Sequence, residues 1–447
     1  MKTERVDVSE LTTAERFALL NKEVQAKYAV DPHRDVNQIP LAELSPEHPS
    51  LFQHQSMFSY FARLRKEDPV HRSEDSMFGP YWSITKHQDI MDIERNFKVF
   101  SSEQRYGGIQ LAGKPYDEKG VDPRFNLPMF IMMDPPKHTV QRKTVQPMFV
   151  QRSLKPLEPT IRERAQAILA QLPINEEFDW VSEVSIELTS QMLATLFDVP
   201  QEDRMLLIRW SDAATNNANP EMFSSVEEAF KELWQCFEYF SKIFKERKAS
   251  TTPGHDLISM LAQSESTKEM PPNELLGNLL LLIVGGNETT RNSISGGVKF
   301  FNDYPDEYER LTRNPDLVPS AVLEMIRMQS AIAHMARTAT EDVEFRGKEM
   351  KKGDRLALWY VSANRDEEVF PQPDQFKIDR PNIRTHLGFG YGIHRCVGYR
   401  LAEMQLQILW EEILQRFKRV EIVGPPEFQW SSFLHGITRL PVRLQHK

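Results

Sequence analysis

Phe389-Gly390-Tyr391-Gly392-Ile393-His394-Arg395-Cys396-Val397-Gly398 sets one cysteine in a glycine-rich loop that opens onto a long helical pattern. Beyond it, Leu406, Leu409, Trp410, Ile413, Leu414 and Phe417 recur by threes and ones, as on a half-buried helix. A thiol at a helix start is favoured as thiolate, because unpaired amides and the helix dipole stabilise negative charge there. Gly392 and Gly398 let the backbone turn tightly and aim amides at the sulfur, while Arg395 and His394 add positive or hydrogen-bonding character. On these residues alone, Cys396 reads as a buried structural thiol or as a reactive thiolate. A catalytic Cys–His pair is disfavoured, since His394 lies two residues away, where an imidazole rarely reaches the sulfur. A dinucleotide loop fails, because Ile393 stands where its last glycine should and no strand leads in.

The remaining composition narrows the chemistry. The 447 residues contain two cysteines, Cys236 and Cys396, which excludes a disulfide-stapled scaffold, a four-thiolate zinc site and a four-thiolate iron–sulfur cluster. Cys236, inside a helical stretch, reads as a packing residue. With 55 Lys and Arg against 64 Asp and Glu, the net charge of −9 argues against nucleic acid as the main partner. The longest strongly apolar run, 279–284, falls far short of the ~20 residues of a membrane span. Residues 1–30 lack the apolar core of a secretory signal, so a cytoplasmic location is expected.

No repeat, low-complexity tract or linker divides the chain, so one domain over 31–447 is expected, with 1–30 as an N-terminal extension. Mixed three- and four-residue apolar steps predict helices over 154–172, 181–197, 226–248 and 274–301. Strand signals are few and short, the clearest at 343–360 around a Gly347 turn. Phe370-Pro371-Gln372-Pro373-Asp374 reads as irregular structure over the surface. The fold class is mainly α with a small β portion.

Three other motifs carry chemistry. Leu281-Leu282-Ile283-Val284-Gly285-Gly286-Asn287-Glu288-Thr289-Thr290 is an apolar helical run broken by glycines that each cost roughly 1 kcal/mol against alanine. It reads either as a helix that ends at Gly285-Gly286, with Glu288 capping the next, or as a functional interruption. Glu-x-x-Arg, whose members meet on any helix, occurs as Glu288–Arg291, Glu307–Arg310 and Glu324–Arg327. Met133-Asp134-Pro135-Pro136-Lys137-His138 begins a helix that places Arg142 on the face of His138.

Phe-x-x-Gly-x-His-x-Cys-x-Gly resembles the haem-binding loop of the cytochrome P-450 monooxygenases, and the other motifs follow in that family's order. The resemblance implies a single haem-containing domain of the cytochrome P-450 fold, holding haem b (iron protoporphyrin IX). It makes Cys396 the axial iron ligand, with Phe389, Gly390 and Gly285 against the cofactor. Asp-Pro-Pro-x-His-x-x-x-Arg resembles the propionate clamp, giving His138 and Arg142, completed by His394 and Arg337. (Ala/Gly)-Gly-x-(Asp/Glu)-Thr-Thr resembles the oxygen motif, with Thr289 hydrogen-bonding dioxygen and Glu288 relaying protons. Chain order selects Glu324–Arg327 as the buried pair, with Arg380 of Phe-Lys-Ile-Asp-Arg as its third member; Glu307–Arg310 is expected to be a solvated surface pair.

Within the family, 281–297, Phe78-Gly79-Pro80-Tyr81-Trp82-Ser83 and 401–414 resemble the bacterial soluble hydroxylases of terminal methyl groups of n-alkanes and fatty acids. Relatives nearby oxidise acyclic terpene alcohols or sterol side chains. Gln329-Ser330-Ala331-Ile332-Ala333-His334-Met335-Ala336-Arg337, which lines the pocket in the family, lacks the alkane group's Thr-Pro-Leu and an extra arginine, a change expected to reshape the channel. Met129, Phe130, Ile131 and Met132 suit an apolar ligand, though core packing is the commoner use of such residues. Two cysteines and no intact flavin or nicotinamide fingerprint leave no reductase or ferredoxin expected within the chain, and the resemblance implies electrons from NAD(P)H through an external reductase and an iron–sulfur ferredoxin. Lys137, Arg142, Lys143, Arg395 and Arg400 offer a basic face for that partner or are ordinary surface charges. Rival classes are a peroxide-driven peroxygenase, which usually replaces the acid–alcohol pair kept here as Glu288-Thr289, and a haem sensor, which would need an output domain.

Overall fold

The computed structural model describes residues 27–111, 127–215, 223 and 226–446; of the expected extension 1–30 only the last four residues fall inside it. Strands Val70–Ser73 (β1) and Tyr81–Ile84 (β2) precede helix His87–Arg95 (α1) and the short strand Phe100–Ser101 (β3). Six helices bear on the site: Lys137–Val145 (α2), Glu187–Phe197 (α3), Arg204–Thr215 (α4), Val226–Ala249 (α5), Pro272–Asp303 (α6) and Val318–Gln329 (α7). Strands Met335–Ala339 (β4) and Arg355–Leu358 (β5) and helix Tyr399–Arg416 (α8) complete the frame.

The expected helices form with local changes. The 154–172 pattern divides into a short helix, a 3-10 turn and the helix Glu158–Gln171, and 181–197 begins as a π-helical turn before α3. α6 runs 32 residues, starting where Pro272 occupies the first turn and stopping before Pro305, which cannot donate to a continuing helix. Thus the helix does not end at Gly285-Gly286. The glycine cost is met by packing: a Cβ on Gly286 would stand 2.7 Å from Leu193 Cδ2 of α3. The same crossing is pinned by Thr189 Oγ1 donating to Asn287 Oδ1 at 3.1 Å and by Ser185 and Ser295 hydroxyls 2.9 Å apart.

The sheet signal was under-read. The five strands named above form one sheet in the order β1-β2-β5-β4-β3, with Trp82 opposite Leu356 in its one parallel pairing. A second sheet joins Glu177–Asp179, Pro441–His446 and Phe417–Ile422, none of which the sequence marked. Strands of three to six residues hold too few periods to announce themselves. Around Gly347, in the left-handed region at φ 73°, the expected hairpin pairs Val343–Phe345 with Lys348–Met350.

The main core interleaves α6, α7 and α8: Trp410 meets Phe301 edge-on at 4.8 Å, and a Cβ on Gly297 would sit 3.1 Å from the Trp410 ring. Cys236 is wholly buried in this core, as expected of a packing residue. Among the described residues no helix is long and apolar enough to cross a membrane.

Candidate active site

The 389–398 loop is held by its own backbone. Gly390 and Gly392 adopt φ of 65° and 64°, and the Cys396 amide donates to the Phe389 carbonyl at 2.8 Å. A Cβ on Gly392 would approach the Glu94 carbonyl to 2.7 Å, so glycine is needed there for closeness as well as for φ. Gly398 differs from expectation: its φ of −91° suits any residue, and its contribution is an amide hydrogen bond to the Cys396 sulfur. No strand precedes the loop.

Burial pushes the Cys396 thiol up, against the pull of the Gly398 amide, Arg142 and Arg395. α8 begins three residues on, at Tyr399, and in the protein alone desolvation outweighs these charges. A bound metal cation deprotonates a coordinating thiol outright, so this sulfur fits a metal ligand better than a free nucleophile.

Cys396 opens into a cavity of about 1880 Å³ bounded by α6, the 129–132 segment and the 331–337 segment. Its described lining contains no Asp or Glu, and its cations are Arg142, Lys231 and Arg337. Met129, Phe130, Ile131 and Met132 all face it, as do Ala331, Ile332 and Met335 of the segment that departs from the alkane group's pattern. Residues 112–126, which precede the 129–132 segment in the chain, lie outside the described residues.

The four clamp residues gather along one side. His138 lies behind His394, ring centroids 4.3 Å apart; His138 is buried and His394 half-buried, and both nitrogens of His138 and Nδ1 of His394 are buried with no partner in the protein. Burial lowers His138 to about 4 and holds His394 well below its usual range, so both imidazoles are neutral hydrogen-bonding groups at pH 7. Ser102 Oγ meets His394 Nε2 at 2.9 Å. Arg337, on β4, donates to Glu94 of α1 at 2.9 Å, and the Tyr360 hydroxyl donates to the same oxygen at 2.8 Å. Gly285, where an added Cβ would touch nothing within 4 Å, faces the cavity with Thr289, Phe389 and Gly390. Orphaned imidazole nitrogens, flanking arginines, an open glycine and one sulfur fit a flat anionic metallomacrocycle such as haem.

On α6, Thr289 faces the cavity and its hydroxyl donates to the Gly285 carbonyl at 2.9 Å. Glu288 does not line the cavity. It is fully buried on the α3 and α4 side, accepting from Arg291 and from Ser211 Oγ at 3.3 Å. Asp212 of α4 lies against it and is pushed up to about 7 by burial and by the Glu288 charge, Arg291 opposing. Sequence reading missed Asp212, because its neighbour lies 76 positions away and is set by a helix crossing.

The chain-order choice among the Glu-x-x-Arg pairs holds geometrically. Glu324 and Arg327 are completely buried with contacts of 2.7 and 2.8 Å, and Arg380 Nε reaches both Glu324 oxygens at 3.1 Å. Of the 370–374 segment expected to run over the surface, Pro371, Gln372 and Asp374 are exposed, but Phe370 is wholly buried and carbonyls turn inward: Arg327 and Arg380 donate to those of Pro371, Pro373 and Gln375. Glu307–Arg310 is more exposed but forms a wider cluster, with Asp379 and the Ile378 amide.

A mainly helical domain that brings one cysteine and a long glycine-bearing helix to one apolar cavity defines a haem-thiolate protein. The family model "Cytochrome P450" matches residues 77–447. The linalool 8-monooxygenase of Pseudomonas putida is 37% identical over 406 residues, covering 90% of this chain and 98% of that protein. A steroid C26-monooxygenase of Mycolicibacterium smegmatis is 35% identical over 385 residues, covering 84% and 88% respectively. Among solved structures, cytochrome P450-153 from Novosphingobium aromaticivorans aligns with a TM-score of 0.84 at 44% identity, covering 90% of this chain and 100% of that one. The chain belongs to the cytochrome P450 family and is a monooxygenase, an oxidoreductase whose cofactor is haem iron.

Proposed function

We propose that this protein hydroxylates an unactivated C–H bond of an apolar substrate, the terminal methyl of a medium-chain n-alkane or fatty acid, using O2 and electrons from NAD(P)H. The observation that carries this reading is the pairing of Cys396 with an acid-free, methionine- and leucine-rich cavity that also exposes Thr289. The residues of 31–447 act as one haem domain in the cytoplasm, fed by an external ferredoxin and its reductase.

When bound, haem b supplies the activation of dioxygen. Cys396 would hold the iron through its sulfur, and Arg142 and Arg337 would offer charged donors, and His138 and His394 neutral ones, to the propionates. Gly285 leaves open space in the cavity wall that a side chain would take. The apolar walls exclude water and leave orientation of a chain-like substrate to shape. Thr289 presents its hydroxyl to the reacting atoms, and Glu288, one residue along the helix and buried beneath the wall, holds the proton that this hydroxyl passes on.

The name of the Pseudomonas relative favours a second reading, an acyclic terpene alcohol of linalool type. Spin-state titration of the purified haem protein with alkanes, fatty acids and terpene alcohols of graded length tests both. The first reading predicts the tightest response and terminal hydroxylation with straight chains. A response confined to terpene alcohols, or to sterols, would replace it.

A further inference from the structure

Three side chains meet where α4 crosses α6, and their charges do not balance. Arg291 donates through Nη2 to Glu288, its Nη1 stands 3.9 Å from Asp212 Oδ1, and its buried Nε has no partner. One guanidinium thus serves two carboxylates. Glu288 carries additional donors, from Ser211 Oγ at 3.3 Å and from Asn287 Nδ2 at 3.2 Å, both to Oε1. Asp212 is the less supported partner: it shares Arg291 with Glu288, and burial and the Glu288 charge push it up to about 7. Asp212 therefore keeps its carboxyl proton into the neutral range, beside a second carboxyl group that shares its one guanidinium.

Position adds direction. Glu288 has no exposed surface, whereas Asp212 keeps 18% of its side chain exposed. Other charges facing α4 are already paired: Glu187 of α3 with Arg204 at 2.9 Å and Glu232 of α5 with Arg209 at 2.6 Å. Among the described residues, only Glu288 and Arg291 act on Asp212.

We propose that Asp212 is the positioning residue through which solvent protons reach Glu288. Asp212 gives its carboxyl proton to a Glu288 oxygen, is left as carboxylate, and is reprotonated by water at its exposed edge. Only O–H bonds are made and broken, and no electrons move. Glu288 is thereby reloaded after each proton it delivers toward Thr289, while Arg291 keeps the pair from carrying two protons. The step rests on the reading of Glu288 and Thr289 as the proton-delivering pair.

The test uses full-length haem-loaded protein as wild type, Asp212→Asn, Asp212→Glu and Glu288→Gln. Without substrate, infrared difference titration of the wild type should show a carboxylic-acid carbonyl band lost near neutral pH. That band should be absent in Asp212→Asn and move to lower pH in Glu288→Gln. In turnover with dodecanoate and a ferredoxin–reductase pair, Asp212→Asn should lower kcat roughly tenfold, leave KM unchanged and remove the near-neutral ionisation from the pH profile, with Asp212→Glu restoring both. A band unchanged in Asp212→Asn, or a wild-type pH profile in that variant, overturns the proposal. If Glu288→Gln uncouples turnover while Asp212→Asn matches wild type, the Asp212 step alone falls; if Glu288→Gln is itself without effect on coupling, the underlying reading falls with it.

Discussion

Glu324–Arg327 and Glu288–Arg291 are the same local motif, an acid and an arginine three residues apart on a buried helix, and the molecule uses them in opposite ways. Around Glu324 one carboxylate faces two guanidinia, the Lys377 amide also donates to it, and the arginines' remaining donors end on backbone carbonyls. Around Glu288 two carboxylates face one guanidinium, with a buried nitrogen left over. Burial is expensive for both, so the count of partners decides the outcome. Surplus donors lock a geometry, and surplus acid stores a proton.

The comparison breaks most visibly at the over-paired cluster. Arg327→Ala should destabilise the fold by about 3–5 kcal/mol in urea unfolding, because it strips the Glu324 carboxylate of its closest partner and orphans the carbonyls of the 364–375 segment. A loss below about 1 kcal/mol would mean that Arg380 alone suffices. At the acid-rich cluster the expected order reverses, with function changing before stability. Glu288→Gln should cost turnover about a hundredfold while keeping haem, and Thr289→Ala should keep substrate binding but divert electrons to peroxide. Measuring product and peroxide against NAD(P)H consumed checks both.

A smaller effect is pH-dependent stability. Asp212 titrates near 7 in the folded chain against an ordinary value of 3.8, so the folded state binds more protons across that window. Its presence therefore makes stability fall as pH rises from about 4 to about 7. Asp212→Asn should flatten that part of the stability profile, measured by chemical denaturation at several pH values; an unchanged slope would show that Asp212 is not the group titrating. The smallest effect belongs to Glu307→Ala, about 1 kcal/mol or less, since its arginine is 41% exposed.

The two clusters also show what a sequence conceals. The ten-residue thiolate loop and the clamp around His138 were legible because contiguous residues carry them, and chain order alone separated Glu324–Arg327 from two decoys. Asp212 was not legible, since its meaning comes from the α4–α6 crossing, nor was the Glu94–Arg337 pair, which joins residues 243 positions apart. The desolvation of the Cys396 sulfur was hidden for a related reason: helix position can be read locally, but desolvation depends on everything packed around the sulfur. Short strands failed on length, and Gly286 on its fit to Leu193, a contact between two helices rather than a turn signal.

The central claim, that Cys396 is the protein's bond to iron, is tested most directly by the absorption spectrum of the reduced carbon monoxide complex. Purified wild-type protein should show the red-shifted Soret band of thiolate-ligated haem, and Cys396→Ser should lose that band or the haem itself. A Cys396→Ser protein that keeps both would contradict the account.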